Sequence, residues 1–273
     1  MKHTKKSAMG IIPLLLVAFF LSHFLNTKAF AYSFTVDFKN GFYWSSFPIK
    51  MAKFAPIASD SALLERMSNE AIEEWEAVVG KDIWELSPVQ NTTSYTGNFI
   101  RWSDNFGAET GFDPSRTLAI TIRYNQGTFF QQTVIILNGS ISYLRQNWGN
   151  SLKTTILHEV GHTLGLDHSG DTQAVMAASL GAVSALQSDD IAGANAVIDE
   201  TIRRQSTGYI SPFAAREEKV AACGSIEDLA KISGGPGGGS TTNFLGSILF
   251  GLLMILGLAS VGNRRSQKVL IRY

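Results

Sequence analysis

Three histidines and a glutamate lie within eleven residues, in the stretch HEVGHTLGLDH that begins at His158. On an α-helix, His158 and His162 are one turn apart on the same face, so both imidazoles can bind one metal ion. Glu159 is offset by about 100° and is expected beside the metal. Gly165 is predicted to end the helix and turn the chain, so that His168 reaches the same ion.

Three imidazoles leave one position of a tetrahedral zinc ion open, as in catalytic zinc sites, whereas structural sites have four protein ligands. A zinc ion held in this way lowers the pKa of a water molecule to about 7 and polarises a carbonyl group. We expect Glu159 to be the general base toward this water and then to protonate the leaving amine. The predicted reaction is hydrolysis of a peptide bond, and hydrolysis of a non-peptide amide is an alternative with the same residues.

The N-terminal residues 1–31 are typical of a secretory signal peptide. Three early lysines precede an apolar run from Met9 to Leu21, and Ala29-Phe30-Ala31 forms an A-x-A processing site. The mature chain would begin at Tyr32, and an uncleaved membrane anchor is the alternative. His3 and His23 lie in this leader, so every other histidine of the chain belongs to the HEVGHTLGLDH stretch.

The C-terminal region predicts a membrane anchor. Residues 244–262 carry no charge and would span about 28 Å as a helix, which matches the hydrocarbon core of a bilayer. Basic residues in the tail 263–273 place that tail in the cytoplasm and residues 32–243 outside. The chain is therefore expected to be exported, with its folded part outside the cytoplasmic membrane.

A glycine-rich linker, GGPGGGS at Gly234–Ser240, precedes this span. Linker, span and basic tail together resemble the C-terminal sorting tails of some bacterial exported proteins, which a membrane protease cuts near the glycines. Such a sorting protease would be a partner of this chain and would release it from the membrane to the cell surface. A plain single-pass anchor is the alternative.

The distribution of charge argues against a nucleic-acid-binding protein. All 23 acidic residues lie between Asp37 and Asp228. Eight of the 23 basic residues lie in 1–31 and 244–273, so residues 32–243 have a net charge of −8. Nucleic-acid-binding domains concentrate positive charge on their folded part. A protein or peptide substrate and a membrane are the partners that the sequence indicates.

The histidine stretch and the residues after it resemble the metzincin metalloproteases and, within them, the matrixins. HEVGHTLGLDHS has the matrixin form, in which Ser169 follows the third histidine, and Met176 occupies the place of the family's Met-turn. LQSDDIAG, Leu186 to Gly193, looks like the start of the matrixin C-terminal helix, with Ser188 as its expected N-cap. The resemblance implies a zinc endopeptidase with His158, His162 and His168 as ligands.

The resemblance also implies an α+β fold: a small twisted mixed sheet, an active-site helix and a C-terminal helix, within a catalytic domain at 32–205. Residues 206–243 would be a stalk and linker. The apolar pattern predicts a helix at Ser61–Val79 and strands at the ranges Phe42–Met51, Phe99–Ser103, Leu118–Tyr124 and Thr133–Asn138. In the matrixins the substrate lies along an edge strand above the zinc, and the loop Ala177–Ala185 is expected to line the pocket for the side chain that follows the scissile bond.

Some matrixin features are not expected here. No cysteine precedes the histidine stretch, which excludes a cysteine switch in a pro-segment, and Cys223 is the single cysteine of the chain. The mature chain has no histidine before His158 for a second, structural zinc, so one zinc ion is predicted. Asp104, Glu109 and Asp113 could offer oxygen ligands to Ca²⁺, but their spacing matches no calcium loop.

A catalytically silent zinc-binding surface or interaction module would have the same fold and metal. The intact Glu159 favours an enzyme, because loss of the base is the simplest way to silence such a site.

Overall fold

A computed structural model describes residues 30–215, 218–221 and 225–227 of the chain. Most of its helices and strands follow the apolar periodicity of the sequence. The predicted transmembrane segment, the linker Gly234–Ser240, Cys223 and nearly all of the predicted signal peptide lie outside the described residues. Within the described residues, none of the helices is both long and apolar enough to cross a bilayer.

The α-helices that the structure describes are α1 (Val36–Lys39), α2 (Ser61–Val79), α3 (Phe106–Thr110), α4 (Ser142–Arg145), α5 (Ser151–Leu164) and α6 (Ser188–Thr207), with single 3₁₀ turns at Ala58–Asp60 and Trp148–Asn150. The strands are β1 (Ser33–Phe34), β2 (Ile49–Phe54), β3 (Trp84–Gln90), β4 (Asn98–Ser103), β5 (Thr117–Gln126), β6 (Phe129–Asn138), β7 (Leu166–Asp167), β8 (Ser179–Leu180), β9 (Glu218–Ala221) and β10 (Ser225–Glu227).

The main sheet is mixed, as predicted. Its strand order is β3-β2-β4-β6-β5, in which β5 is antiparallel to β6 and the other pairs are parallel. Beyond β5 lie β9 and β10, both antiparallel to it, and β10 is also parallel to β8. A separate two-stranded ladder joins β1 to β7.

Alternation along the strands divides the apolar side chains between the two faces of the sheet. In β6, Ile135 and Leu137 belong to the main core together with residues of α2, α5 and α6, whereas Val134 and Ile136 belong to a second cluster on the opposite face. This period of two is what a pleated strand buried on both faces requires. The sheet therefore holds α5, which carries the histidines, on one face only.

The amphipathic helix predicted at Ser61–Val79 is confirmed as α2. Its buried face includes Leu64, Ala71 and Trp75, and Gly80 ends it at φ 65° in the left-handed region. That conformation costs a residue with a Cβ, which is why a glycine follows the last buried position.

Two local expectations were wrong. The strand predicted over Phe42–Met51 begins only at Ile49, because Pro48 has no N–H to give to a ladder. Ser188 is the first residue of α6 and not its N-cap: the Gln187 side chain caps the helix, reciprocated by Asp190 in a capping box. The edge strand β3 was missed, since the segment WELSPVQ alternates poorly and contains a proline.

Candidate metal centre

The helix α5 is fixed in the core by indole groups of other elements. Trp75 of α2 donates a hydrogen bond from Nε1 to the carbonyl oxygen of Leu157 at 2.8 Å, and Trp44 donates to that of Thr163 at 2.8 Å. Buried tryptophans need a partner for their N–H group, and here the partner is the backbone on either side of the HExxH segment. The helix can therefore neither rotate nor slide without leaving these donors unpaired.

Gly165 ends α5 and redirects the chain, as the sequence predicted. Its φ is 111°, and a Cβ at this position would lie 3.0 Å from the Phe38 ring, so a larger residue has neither the conformation nor the space. The next two residues pair with β1 as β7, which carries the chain back toward the helix. His168 follows directly after this strand.

The three predicted histidines come together. Ring centroids are 4.7 Å apart for His158 and His162, 5.3 Å for His158 and His168, and 5.1 Å for His162 and His168. One ligand nitrogen from each ring lies within 4.8 Å of the others. Among the described residues, these three histidines form the group of metal-binding side chains that lie close enough together to hold an ion.

Backbone carbonyl groups orient two of the rings. His158 Nδ1 lies 2.7 Å from the Val175 oxygen, and His162 Nδ1 lies 2.7 Å from the Leu166 oxygen. A carbonyl oxygen can only accept, so each Nδ1 carries the proton and each Nε2 presents a lone pair. The two Nε2 atoms lie 3.1 Å apart.

His168 supplies a further indication that this group fits a metal ion. Its Nε2 is buried and has no hydrogen-bond partner in the described structure. Two Nε2 lone pairs and an unpartnered third imidazole nitrogen in one place are costly in a protein interior, and a cation bound by all three nitrogens would remove that cost. The donor set of three neutral imidazoles suits Zn²⁺.

Burial favours the neutral form of all three rings. It lowers the pKa of His158 to about 3, with a further contribution from His168, and it lowers the pKa of His162 well below its ordinary value. Burial also lowers the pKa of His168, against a smaller opposite effect of Asp167. Metal binding requires deprotonated ligands, so these rings are ready to bind at neutral pH.

Glu159 is fully buried on α5, one residue after the first histidine. The hydroxyl of Thr121, on β5, lies 2.6 Å from Glu159 Oε2 and 3.2 Å from the Glu159 backbone oxygen. The hydroxyl donates to the carboxylate and fixes the orientation of its plane. Sequence reasoning missed Thr121, because its position opposite Glu159 depends on how β5 packs on α5.

A comparison with known families agrees with this geometry. The sequence model of the family described as Matrixin matches residues 58–198, which is more than half of the chain. The chain belongs to the matrixin family. Among curated proteins, none matches the chain. Matrixins are zinc-dependent endopeptidases, and the His158, His162 and His168 group of this matrixin is compatible with zinc binding.

Met176 packs against α5 at Gly161, between the first two histidines of this matrixin. It is buried, and a Cβ placed on Gly161 would collide with its sulfur and lie 3.2 Å from the Trp75 ring. Glycine inside a helix costs about 1 kcal/mol relative to alanine, and the close approach of Met176 explains why it is present. Gly161 thus lets the methionine pack directly against α5.

Asp190 fixes the backbone at Val175 and Met176. Its carboxylate accepts hydrogen bonds from the backbone N–H groups of Val175 and Met176, both at 2.9 Å, and from Gln187 at 2.8 Å. The neighbouring Asp189 accepts from the Ser169 hydroxyl at 2.6 Å and from two backbone N–H groups at the start of the described chain. The acidic first turn of α6 thus links the helix to Ser169, which follows the third histidine, and to the segment of Val175 and Met176.

A buried ion pair supports the far end of α5. Arg123, on β5, donates from Nε and Nη2 to Asp37 at 2.7 and 2.9 Å, and from Nη1 to the His162 backbone oxygen at 2.6 Å. Both side chains are fully buried. The guanidinium keeps the pKa of Asp37 below its ordinary value although burial acts in the opposite direction. A lone arginine in the apolar run TLAITIRY was the sequence signal for a buried partner.

The acidic loop considered for Ca²⁺ has other partners. Asp104 pairs with Arg145, Glu109 pairs with Arg101 at 2.6 Å, and Asp113 accepts from the backbone and hydroxyl of Ser115. These contacts give each carboxylate a structural role in its own surroundings. The structure does not bring the three together as a ligand group among the described residues.

Proposed function

We propose that this matrixin hydrolyses peptide bonds with one zinc ion held by His158, His162 and His168, and with Glu159 as general base. The observation that carries the proposal is the group of three imidazoles with converging nitrogens, two of them fully buried, together with the fully buried Glu159 one residue after the first histidine. When bound, a zinc ion would supply a Lewis acid that polarises the scissile carbonyl group and lowers the pKa of a water molecule.

The residues of the chain then have distinct tasks. Val175 and Leu166 accept the Nδ1 protons of two histidines, which keeps the Nε2 lone pairs directed to one point. The Glu159 carboxylate takes a proton from the attacking water and passes it to the leaving amine. Thr121 orients that carboxylate through its hydroxyl, so little reorganisation is needed during the reaction.

We propose further that the substrates are extracytoplasmic proteins or peptides. The support is in the sequence: the predicted signal peptide at 1–31, the predicted span at 244–262 and the basic tail at 263–273. The catalytic domain would lie at 32–205, tethered by residues 206–243, and a sorting protease acting near Gly234–Ser240 would release it to the cell surface. Cell fractionation with an antibody against the folded region tests this topology.

The test of the reaction uses the full-length chain and a library of unstructured peptides, with zinc and with a chelator. We expect zinc-dependent cleavage that Glu159→Ala reduces by about 100-fold to 10,000-fold while zinc content and unfolding temperature stay unchanged. Glu73, an exposed glutamate of α2, provides the matched control as Glu73→Ala. Cleavage by Glu159→Ala at the normal rate would remove this residue from the mechanism.

A separate variant tests the assignment of His168 as the third zinc ligand. His168→Ala is expected to lose zinc, because two histidines alone bind it far more weakly. Full zinc occupancy in this variant would place the third ligand elsewhere. Zinc binding by the unchanged chain without any peptide cleavage would instead favour the silent binding module or a hydrolase of non-peptide amides.

A further inference from the structure

The outer edge of β5 runs beside the candidate metal centre. Its inner edge pairs with β6, and Thr121, near its middle, contacts Glu159 on α5. An extended peptide pairing with the outer edge would gain main-chain hydrogen bonds along β5 while passing the buried carboxylate. This edge is therefore where a peptide substrate of the proposed enzyme would lie.

In the structure, a segment of the same chain pairs with this edge. β9 is antiparallel to β5 over residues 122–125, and β10 is antiparallel to it over residues 117–119. The two pairings flank Thr121, the residue that contacts Glu159. The edge of β5 is thus paired on both sides of the point where the reaction would occur.

The second side of β10 is paired as well. β10 runs parallel to β8, with Ile226 opposite Ser179 and Glu227 opposite Leu180. β8 lies within the loop Ala177–Ala185, which the sequence predicted to line the substrate pocket. β10 accordingly fills the groove between β5 and β8 with an extended backbone that is hydrogen-bonded along both edges.

We propose that β9 (residues 218–221) and β10 (residues 225–227) are autoinhibitory: both cover the outer edge of β5, β10 occupies the substrate groove between β5 and β8, and both must leave before a substrate can bind. This proposal rests on the proposed function, since it concerns the regulation of the same site. The occupant is a named part of the chain, joined to the end of α6 by only ten residues, 208–217. Displacement of the segment, or a cut within 208–217, would open the groove.

The short connection makes this occupancy effective. A segment joined to its binding groove by a short connection acts at an effective concentration of the order of 1 mM. If its intrinsic dissociation constant were about 0.1 mM, it would occupy the groove about 90% of the time and lower the cleavage rate about tenfold. Substrates present at micromolar concentration would compete poorly with it.

The test replaces strand residues by proline in the full-length chain. Lys219, Val220, Ser225 and Ile226 are all changed to proline. In each strand the two positions are consecutive, so one of each pair loses the N–H that faces β5 whichever way the strand is turned. Four prolines at 237–240, in the glycine-rich linker, give the matched control, and Cys223 stays unchanged in both variants.

Two measurements separate this proposal from the proposed function. Amide hydrogen exchange of β5 needs no activity: among residues 117–125, we expect the amides that face away from β6 to exchange at least tenfold faster in the strand variant than in the control, while those bonded to β6 stay protected. Zinc-dependent cleavage of the peptide library should also be about tenfold faster in the strand variant. A synthetic peptide with the sequence 218–227 should then inhibit this variant competitively, or be cleaved by it.

Equal protection of β5 in the two proline variants would overturn the proposal, whether or not the chain is an enzyme. Faster exchange without faster cleavage, in a chain that does cleave peptides, would overturn it too, because the segment would then cover β5 without blocking the groove. Absence of zinc-dependent cleavage in every variant would refute the proposed function, while the exchange data would still decide whether the segment occupies the groove.

Discussion

Removal of the Arg123 guanidinium should expose how strongly α5 depends on its buried ion pair. Arg123→Met keeps most of the apolar stem and removes every donor. The change leaves the Asp37 carboxylate buried without its partner, and it leaves the His162 backbone oxygen without the 2.6 Å hydrogen bond from Nη1. Both consequences raise the free energy of the folded state and not that of the unfolded state, because the burial and the hydrogen bond exist only in the folded protein.

The size of the effect follows from the burial. Breaking a fully buried ion pair by removing one partner costs about 3–5 kcal/mol, because a charge remains without compensation. For a domain of this size, each kcal/mol lowers the melting temperature by about 2–4 °C, so we expect a decrease of about 6–20 °C at pH 7. Most of this cost should disappear in the double variant Asp37→Leu with Arg123→Met, since two apolar side chains can replace such a pair.

The pH dependence gives a second check. In the unchanged protein the pKa of Asp37 is lowered, so its contribution to stability is present above the unfolded pKa near 3.9 and is lost as the pH falls below it. In Arg123→Met, burial without the guanidinium should raise the pKa of Asp37. Its carboxyl group then takes up a proton on folding, and the difference from the unchanged protein should shrink as the pH falls toward 4.

The melting temperatures are measured by circular dichroism at pH 7 and pH 4. The proteins compared are the unchanged chain, Arg123→Met, Asp37→Leu and the double variant. A melting temperature of Arg123→Met within about 2 °C of the unchanged protein would refute the reasoning. A double variant less stable than Arg123→Met would show that the loss comes from something other than an uncompensated charge.

Three further changes test the surroundings of the metal centre. Gly161→Ala should raise the free energy of unfolding by about 1 kcal/mol through helix propensity, but lower it by about 1–3 kcal/mol because the new methyl group displaces Met176. We expect urea unfolding to show a net loss of stability and zinc competition to show weaker zinc binding. Thr121→Val should lower kcat about 10-fold to 100-fold with KM and zinc content unchanged, and Thr121→Ser should restore it; an equal loss in both would deny the hydroxyl a role. Asp190→Asn should cost about 1.5–3 kcal/mol in urea unfolding and speed zinc loss to a chelator, whereas unchanged zinc release would show that Asp190 does not support the histidine group through Val175.

The local parts of this protein could be predicted from its sequence. The histidines of α5 are set by helical periodicity, Gly165 by a conformation that few other residues adopt, and α2 by its apolar face. The proposed ligand set follows from the spacing of histidines within eleven residues. The matrixin resemblance, read from the same stretch, is confirmed by the family comparison.

The distant contacts could not be predicted. Thr121 meets Glu159 across 38 positions, and Arg123 meets Asp37 across 86, so both depend on which strand packs on α5 and in which register. A one-residue slip of β5 would turn both side chains to the other face of the sheet. The pairing of β9 and β10 was missed for a related reason: their region was interpreted as a stalk from composition, which carries no information about partners.

The loop between Met176 and α6 is held at both ends by carboxylates that do not belong to it. Asp190 accepts from the Met176 N–H at one end, and Glu74 accepts from the Leu186 N–H at 2.8 Å at the other. The intervening residues can therefore change in length and composition while their anchor points stay where they are. Grafting loops between relatives at these two points would redesign cleavage preference independently of zinc affinity, which makes residues 177–185 a natural position for evolutionary and engineered diversification.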